Sequence, residues 1–309
     1  MNPDGAARAR PWLPLVAAFI SVTLWASAFV GIRAAGYAFS PGPLALGRLT
    51  VGSVLLGGLL LTRPFVRPSR RELKLLLIAG LSWFGLYNVV LNRAEQLLDA
   101  GTAAMLVLVA PLIVVALATV FLKERTTPNL LLGGVLAFAG VAVIGLTTSS
   151  GRASVWGVIL SLVAALAGAI GMVAEKPVLG RLSALQVTWT CCTIGALSCL
   201  PSAPHLAREL QVAPTSGVAW LVFLGAFPTS IAFTTWAYAL ARGTAGRLAA
   251  TAYLVPPIAI GMSWLILKEV PRAIAVLGGA LCLVGVYLAR RPPAPREATA
   301  APSSRLAGR

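Results

Sequence analysis

The chain has 309 residues, of which 58% are hydrophobic and only 11% are charged. Soluble domains carry about 25% charged residues, so this composition excludes an ordinary soluble protein and indicates an integral membrane protein. A net charge of +16 would suggest nucleic-acid binding in a soluble chain, but in a membrane protein it reports topology, and no nucleic-acid partner is predicted.

Apolar segments of about 18–22 residues recur along nearly the whole chain, and each can cross a hydrocarbon core roughly 30 Å thick. Backbone polar groups in lipid must be satisfied within the segment, which predicts helices. A β-barrel would need polar residues at alternate positions, and segment 105–122 has almost none. We therefore predict an all-α integral membrane protein with ten transmembrane helices, over residues 12–32, 43–62, 74–92, 100–122, 129–147, 155–175, 184–201, 217–241, 246–267 and 273–290.

The basic residues separate by predicted side of the membrane. With ten spans and the N-terminus inside, 18 of the 25 lysines and arginines fall in inside segments, and Arg48 falls within a span. The outside segments hold the others, namely Arg33, Arg93, Arg152, Arg208, Lys268 and Arg272. Because positively charged loops are retained in the cytoplasm, both termini are predicted to be cytoplasmic.

The sequence also repeats itself without a gap at an offset of 145 residues. Leu122-Lys123-Glu124 aligns with Leu267-Lys268-Glu269, and Ala100-Gly101 and Gly133-Gly134 align with Ala245-Gly246 and Gly278-Gly279. Five spans per copy is an odd number, so the second copy enters the bilayer in the opposite sense. This 5+5 inverted-topology repeat is typical of secondary transporters. The Lys-Glu pairs are expected to anchor equivalent helix ends at opposite mouths of the path.

The repeat predicts four parts of the chain. These are a cytoplasmic tail at 1–10, a first repeat at 11–150 (helices 1–5), a second repeat at 151–291 (helices 6–10) and a second cytoplasmic tail at 292–309. The tails are rich in Pro, Ala and Arg and are expected to be disordered.

Several stretches resemble the signatures of a known family. They are Trp25-Ala-Ser-Ala-Phe-Val-Gly-Ile-Arg33, Pro41 to Arg48-Leu49, Asn92-Arg-Ala-Glu, Ala100-Gly-Thr-Ala-Ala and Lys123-Glu124-Arg125, the later ones being duplicated in the second half. In this order they make the chain resemble an EamA-type permease of the drug/metabolite transporter (DMT) superfamily, over nearly everything but the tails. The resemblance implies ten spans in a 5+5 inverted repeat and export of small metabolites such as amino acids.

Prolines lie near the middle of the fourth and ninth predicted spans, at Pro111 and at Pro256-Pro257. Proline removes a backbone donor and clashes with the carbonyl four residues back, so both helices are predicted to kink there. Interrupted helices at matching positions of two halves point to a transport site, with the kinks serving in gating. Alternatively, neighbouring helices repair the missing bonds and the prolines have no special role.

Arg48 is the only basic residue well inside a predicted span. A charge at full depth costs at least ~2.5 kcal/mol, so its side chain is expected to face protein or water. Gly47 and Gly52 beside it would let another helix approach closely. Arg48 is therefore a candidate for binding an anionic group such as a substrate carboxylate, and an arginine that snorkels outward or bonds a helix end fits the sequence equally well.

Aromatic and polar residues within the spans are further candidates. Small-molecule sites combine apolar and aromatic walls with a few placed polar groups. The candidates for substrate binding besides Arg48 are Trp25, Tyr87, Asn88, Trp236 and Tyr253. For each of them, helix packing or a position at the membrane interface is the alternative role.

Glu175 ends the sixth predicted span, next to Lys176. Its carboxylate is interpreted as an ion at the cytoplasmic mouth, with coupling to protons as the alternative role. No Asp, Glu or His is predicted at mid-membrane, where a proton relay normally lies. This absence argues against carboxylate-based proton antiport and leaves facilitated diffusion open.

Other classes of function find no support in the sequence. Four cysteines within spans and a single histidine, His205, provide neither a disulfide framework nor metal-ligand spacing, so no metal or cofactor is predicted. Nucleotide-binding motifs and a catalytic triad are also absent. The prediction is a secondary, non-ATP transporter in a bacterial cytoplasmic (inner) membrane, not an enzyme, that exports small organic metabolites such as amino acids or amphipathic drug-like solutes. A membrane-embedded lipid-modifying enzyme is the alternative, and homodimerisation is left open.

Overall fold

The computed structural model describes residues 12–98, 100–148, 154–262 and 273–291, and within these ranges the regular structure is entirely helical. The first half contains α1 (Leu13–Ala35), α2 (Pro41–Leu60), α3 (Arg70–Ala79), α4 (Tyr87–Leu97), α5 (Ala100–Val107), α6 (Ala110–Phe121) and α7 (Pro128–Thr148). The second half contains α8 (Val155–Glu175), α9 (Ala184–Ser198), α10 (Ala203–Val212), α11 (Thr215–Leu224), α12 (Ala232–Ala241), α13 (Ala245–Ala250), α14 (Val255–Met262) and α15 (Ala273–Arg290). Both predicted tails and the pair Lys268-Glu269 lie outside the described residues.

Six helices in the described part of the chain are long and apolar enough to cross a membrane. They are Leu13–Ala35, Pro41–Leu60, Arg70–Leu97, Pro128–Leu146, Val155–Gly180 and Thr215–Ala241. A seventh is counted if α9 and α10, which meet at a bend of 51°, form one broken span. Each of the other predicted segments contains a shorter or interrupted helix. The all-helical class is thus confirmed, and the count of ten spans stays a prediction.

Two π-helical segments interrupt the long helices at equivalent places. Gly80–Leu86 joins α3 to α4, and Gly225–Ile231 joins α11 to α12. The two segments have the same length and are separated by the 145-residue offset of the sequence repeat. Because π-bulges are rare and are frequent at functional sites, this duplicated irregularity makes the third and eighth predicted helices candidates for a functional role.

The fourth and ninth predicted helices are interrupted just before their prolines. α5 ends at Val107 and α6 begins at Ala110, so Pro111 lies in the first turn of α6. A 3₁₀ segment, Thr251–Leu254, separates α13 from α14 and places Pro256 in the first turn of α14. A first-turn residue has no N–H partner within its helix, so proline is well tolerated there. The interruption therefore precedes each proline instead of bending a continuous helix at it.

Glycines bring α7 and α15 into close antiparallel contact. A Cβ added to Gly140 would lie 2.5 Å from the carbonyl oxygen of Gly278, and one added to Gly285 would lie 2.6 Å from that of Gly133. The 145-residue offset converts Gly133 into Gly278 and Gly140 into Gly285, so each contact maps onto the other. The two helices are thus related by a local two-fold axis, with their chain directions opposed.

The two halves interlock through corresponding helices. α1 packs on α12 and α14, and α8 correspondingly packs on α4, α5 and α6. α2 packs on the second π-helix, and α9 packs on the first. One core therefore draws on both halves, while large apolar side chains such as Val54, Leu132 and Val135 are exposed on the outside, as expected for a lipid-facing surface.

Candidate functional site: a central cavity between the two halves

A cavity of about 120 Å³ lies among helices of both halves. Aromatic side chains form much of its wall, namely Trp25 of α1, Trp83 of the first π-helix, and Phe233 and Trp236 of α12. The ring centroids of Trp25 and Trp236 are 4.7 Å apart, and those of Trp83 and Phe233 are 4.9 Å apart. An apolar, aromatic wall of this kind suits a small organic molecule.

A buried hydroxyl aligns the helices that carry these rings. Ser21 lies one turn before Trp25, and its Oγ is 2.9 Å from the carbonyl oxygen of Ala232 and 2.8 Å from Oγ1 of Thr235. This contact ties α1 to α12 and so brings Trp25 against Trp236. Phe233 was not selected from the sequence, although its spacing of three residues from Trp236 places both on one helix face.

Arg48 is 4% exposed and lines this cavity. Its Nε donates to Oγ1 of Thr229 in the second π-helix at 3.1 Å, and the same hydroxyl donates to the carbonyl of Leu224, the last residue of α11, at 2.8 Å. Neither Nη atom of Arg48 has a hydrogen-bond partner, and no carboxylate lies within ion-pair distance, among the described residues. Gly52 allows the second π-helix to lie close to α2, because a Cβ at this position would lie 2.9 Å from the methyl carbon of Thr229.

The other polar groups of the cavity wall are mostly donors. The indole N–H of Trp236 is buried and has no partner within the described part of the chain. Asn88 lines the cavity, but its Nδ2 donates to the carbonyl of Phe84 at 2.7 Å, so that this amide completes the first π-helix. Tyr87 also lines the cavity, and the described residues of the wall include no carboxylate. An unpaired guanidinium among donors and aromatic rings favours an anionic group with an apolar body.

Small residues of α8 make room for the aromatic wall. A Cβ on Gly168 would lie 3.4 Å from Tyr87 and 3.5 Å from Trp83, and one on Gly171 would lie 3.1 Å from Oγ of Ser82. Gly168 and Met172 belong to the cavity wall themselves. The absence of a side chain at Gly168 and at Gly171 therefore leaves room for the rings of the neighbouring helix.

The structure places Tyr253 outside this cavity. The 3₁₀ segment has three residues per turn, so Ala252 and Val255 share the face that lines the cavity and Tyr253 lies on another. Tyr253 is fully buried and packs near Phe138 of α7, with ring centroids 6.5 Å apart. Its position favours a structural role over the substrate contact predicted from the sequence.

The three prolines predicted to act in gating do not all lie at the cavity. Pro111 lines the cavity, whereas Pro256 and Pro257 do not. Pro257 instead packs against α15, where a Cβ on Gly279 would lie 3.4 Å from its own Cβ. Any gating by Pro256 and Pro257 must therefore act through the break between α13 and α14.

The interpretation of Glu175 as an ion at the cytoplasmic mouth is wrong. Its side chain is 2% exposed, and its Oε1 is buried without a hydrogen-bond partner among the described residues. Lys176 does not pair with it, because the Nζ of Lys176 donates to the carbonyls of Leu240 and Gly243 at the end of α12. The helix carries Glu175 inward because its face continues from Gly168 and Met172, at spacings of seven and three residues.

The first Lys-Glu pair anchors a helix end, as predicted. Lys123 adopts a positive φ of 55°, which ends α6 and turns the chain. Glu124 then accepts hydrogen bonds from the backbone N–H groups of Ala245 at 2.8 Å and Gly246 at 3.2 Å, in the first turn of α13. Thr244 makes no side-chain cap there, so a residue of the first half caps a helix of the second.

A family model describes this chain twice over. The EamA-like transporter family matches residues 12–146 and again residues 155–291. The chain belongs to the EamA-like transporter family. It is accordingly a multi-pass membrane transporter, for which a small-molecule substrate is expected.

Relatives of this EamA-like transporter are similar over most of their length. A probable terminal-alkyne amino-acid exporter of Streptantibioticus cattleyicolor is 37% identical over 274 residues, covering 88% of this chain and 91% of its own. An uncharacterized transporter of Bacillus subtilis, YdfC, is 29% identical over 267 residues, covering 86% and 87% respectively. A solved crystal structure matches the fold with a TM-score of 0.73 at 21% identity, over 90% of this chain and 96% of its own.

Proposed function

We propose that this protein is a secondary transporter, independent of ATP, that exports small organic metabolites by alternating access through the central cavity. The observation that carries the proposal is the guanidinium of Arg48, which has no ion-pair partner among the described residues and lines an aromatic cavity built from both halves. Such a site favours a carboxylate joined to an apolar body. The name of the Streptantibioticus relative makes amino acids the first candidates, ahead of other amphipathic solutes.

The proposal includes the inverted architecture. Ten spans in a 5+5 inverted repeat with cytoplasmic termini agree with the two matches of the family model and with the opposed directions of α7 and α15. The basic excess of the predicted inner loops supports the orientation and the cytoplasmic membrane as the location. A reporter fused to the C-terminus should report the cytoplasm, and a periplasmic signal would contradict this topology.

Within this architecture, Arg48 binds the anionic group. Trp25, Tyr87, Asn88 and Trp236 form the wall that receives the apolar body. The interruptions before Pro111 and Pro256 supply the flexible points at which each half opens.

The test is an untargeted comparison of exported metabolites with and without overexpression of the protein. We expect a set of organic anions or zwitterions to accumulate outside the cells that express the wild-type protein. Arg48→Leu should abolish this accumulation, whereas Arg208→Leu, which removes an exposed arginine of α10, should retain it. A wild-type profile equal to that of the empty vector, or an unaffected Arg48→Leu variant, would contradict the proposal.

A further inference from the structure

A second cavity, of about 230 Å³, adjoins the central one, and Ile32 belongs to the walls of both. The α4 residues Asn92, Glu95 and Gln96 line it, together with Arg33 from the end of α1. Asn92 lies one helical turn beyond Asn88 of the central cavity. Under the proposed topology, this second cavity is therefore at the outer end of the path, and we call it the outer cavity.

Two oxygen atoms of the outer cavity are buried without hydrogen-bond donors. Asn92 is 3% exposed, and its Nδ2 donates to the carbonyl of Pro41 at 3.1 Å. That bond determines the orientation of the amide, because the flipped amide would set two oxygens against each other. Oδ1 of Asn92 is consequently the atom left without a partner, and Oε1 of Glu95 is in the same condition among the described residues.

Asn92 and Glu95 are three residues apart and so lie on one face of α4. A buried acceptor without a donor costs free energy, and native structures retain such atoms where a ligand or water completes them. A primary ammonium group supplies three N–H donors and a positive charge, which matches one amide oxygen and one carboxylate.

Two arginines, Arg33 and Arg48, belong to the walls of the two adjoining cavities. Arg33 lines the outer cavity together with Glu95, and Arg48 lines the adjoining central cavity, yet neither guanidinium lies within ion-pair distance of Glu95 among the described residues. The two adjoining cavities thus contain one carboxylate and two guanidinium groups, and none of the three forms an ion pair with another among the described residues. This arrangement is complementary to a zwitterion, whereas the central cavity alone is complementary to any carboxylate with an apolar body.

We propose that the outer cavity binds the ammonium group of a zwitterionic substrate through Oδ1 of Asn92 and the carboxylate of Glu95. The proposal rests on the function proposed above and narrows its substrate class to α-amino acids with apolar side chains. Arg48 binds the substrate carboxylate, and the aromatic wall receives the side chain. Glu95 and Asn92 are then the residues that distinguish an amino acid from the corresponding carboxylic acid.

The experiment uses three probes that share one carbon chain. Norleucine carries both charged groups, hexanoate lacks the amine and pentylamine lacks the carboxylate. The full-length protein is reconstituted in proteoliposomes, and counterflow of labelled norleucine is competed with each unlabelled probe. We expect norleucine to compete at least about tenfold better than hexanoate or pentylamine, because each deletion removes a charge-assisted hydrogen bond.

Glu95→Gln preserves the shape of the side chain and removes its charge. We expect this substitution to weaken the binding of norleucine about tenfold and to leave the binding of hexanoate unchanged. Retained hexanoate binding also shows that the variant is folded. Glu72→Gln is the matched control, since Glu72 lies on the same long helix but pairs with Arg181 away from both cavities. It should keep the wild-type preference.

Several outcomes would overturn the proposal. If the Glu95→Gln variant still prefers norleucine to hexanoate, Glu95 is not the ammonium site. If norleucine and hexanoate compete equally well in the wild-type protein, the protein has no ammonium site at all. If replacing choline by Na⁺ strengthens norleucine binding only when Glu95 is present, the outer cavity holds a metal cation instead. A wild-type protein that binds none of the probes also refutes this inference, and the comparison of exported metabolites then decides the proposed function separately.

Discussion

Glu124 provides the sharpest test of how the two halves are held together. It follows α6 of the first half, yet it caps α13 of the second half with bonds of 2.8 and 3.2 Å to two backbone N–H groups. A hydrogen bond to a charged group contributes about 1.5–3 kcal/mol, and a negative charge at a helix N-terminus adds about 0.3–1 kcal/mol. Glu124→Gln keeps one oxygen and can retain one of the two bonds. The expected loss is therefore about 2 kcal/mol, or roughly a 30-fold change in an equilibrium constant.

In the proposed topology we expect this cap to hold the inner mouth closed, because α13 forms part of the cavity wall through Ala249. An Ala249→Cys reporter can be labelled with a membrane-impermeant maleimide in inside-out vesicles. Cys191, Cys192, Cys199 and Cys282 are buried, and the protein without the reporter gives their background rate. We expect Glu124→Gln to raise the labelling rate of the reporter substantially, approaching the 30-fold limit if closure depends on this cap alone.

Glu72→Gln is again the control, because its partner Arg181 is remote from α13 and the pair is on the surface. It should leave the labelling rate of the reporter unchanged. An unchanged rate in Glu124→Gln would refute the argument that the first Lys-Glu pair holds the inner mouth closed. A rate raised equally by both substitutions would indicate general destabilisation instead.

Three further predictions concern packing, gating and coupling. Gly140→Ala should lower the stability by about 1–3 kcal/mol in thermal unfolding in detergent, because its Cβ would strike backbone atoms of α15. Gly134→Ala, whose Cβ would lie 3.4 Å from a Leu112 side chain, should be neutral or stabilising, and equal effects would refute the close contact. Replacing Pro256-Pro257 by Ala-Ala should reduce flux in proteoliposomes by restoring a continuous helix, so unchanged flux argues against gating there. For facilitated diffusion, Glu175→Gln should transport substrate at the wild-type rate, and collapsing the proton gradient should have little direct effect on that rate. If wild-type transport instead requires the proton gradient and Glu175→Gln no longer responds to it, proton coupling is assigned to Glu175.

Periodicity and composition predicted the long apolar helices, because a bilayer demands long apolar segments with internally satisfied backbones. They did not predict α10, which lies between two predicted spans. They were insufficient for the interruptions. A π-helix differs from an α-helix by one residue in its hydrogen-bond ladder, and neither Gly80–Leu86 nor Gly225–Ile231 has a composition that reveals it. The prolines did indicate the breaks in the fourth and ninth helices, since a missing N–H donor is a property of the residue itself.

In the candidate site, too, the sequence indicated some residues and could not predict the surroundings of others. Arg48 was recognisable because a charge within an apolar segment needs a special environment wherever it lies. The surroundings of Tyr253 and Glu175 could not be predicted, because they depend on rotation about the helix axis and on which helix packs alongside. A 3₁₀ segment turned Tyr253 away from the cavity, and the packed face of α8 buried Glu175.

The sequence by itself determined that this chain is an all-helical membrane protein with an internal repeat at 145 residues, because both properties follow from the order of apolar and signature residues. Only the tertiary structure decided what the repeat builds. It joined Glu124 to the start of α13, crossed α7 with α15 at their glycines, and set Arg48 in a cavity wall with six aromatic residues. These contacts link residues of separate helices, and the relation between helices is set by side-chain packing in three dimensions, which no spacing along one chain records.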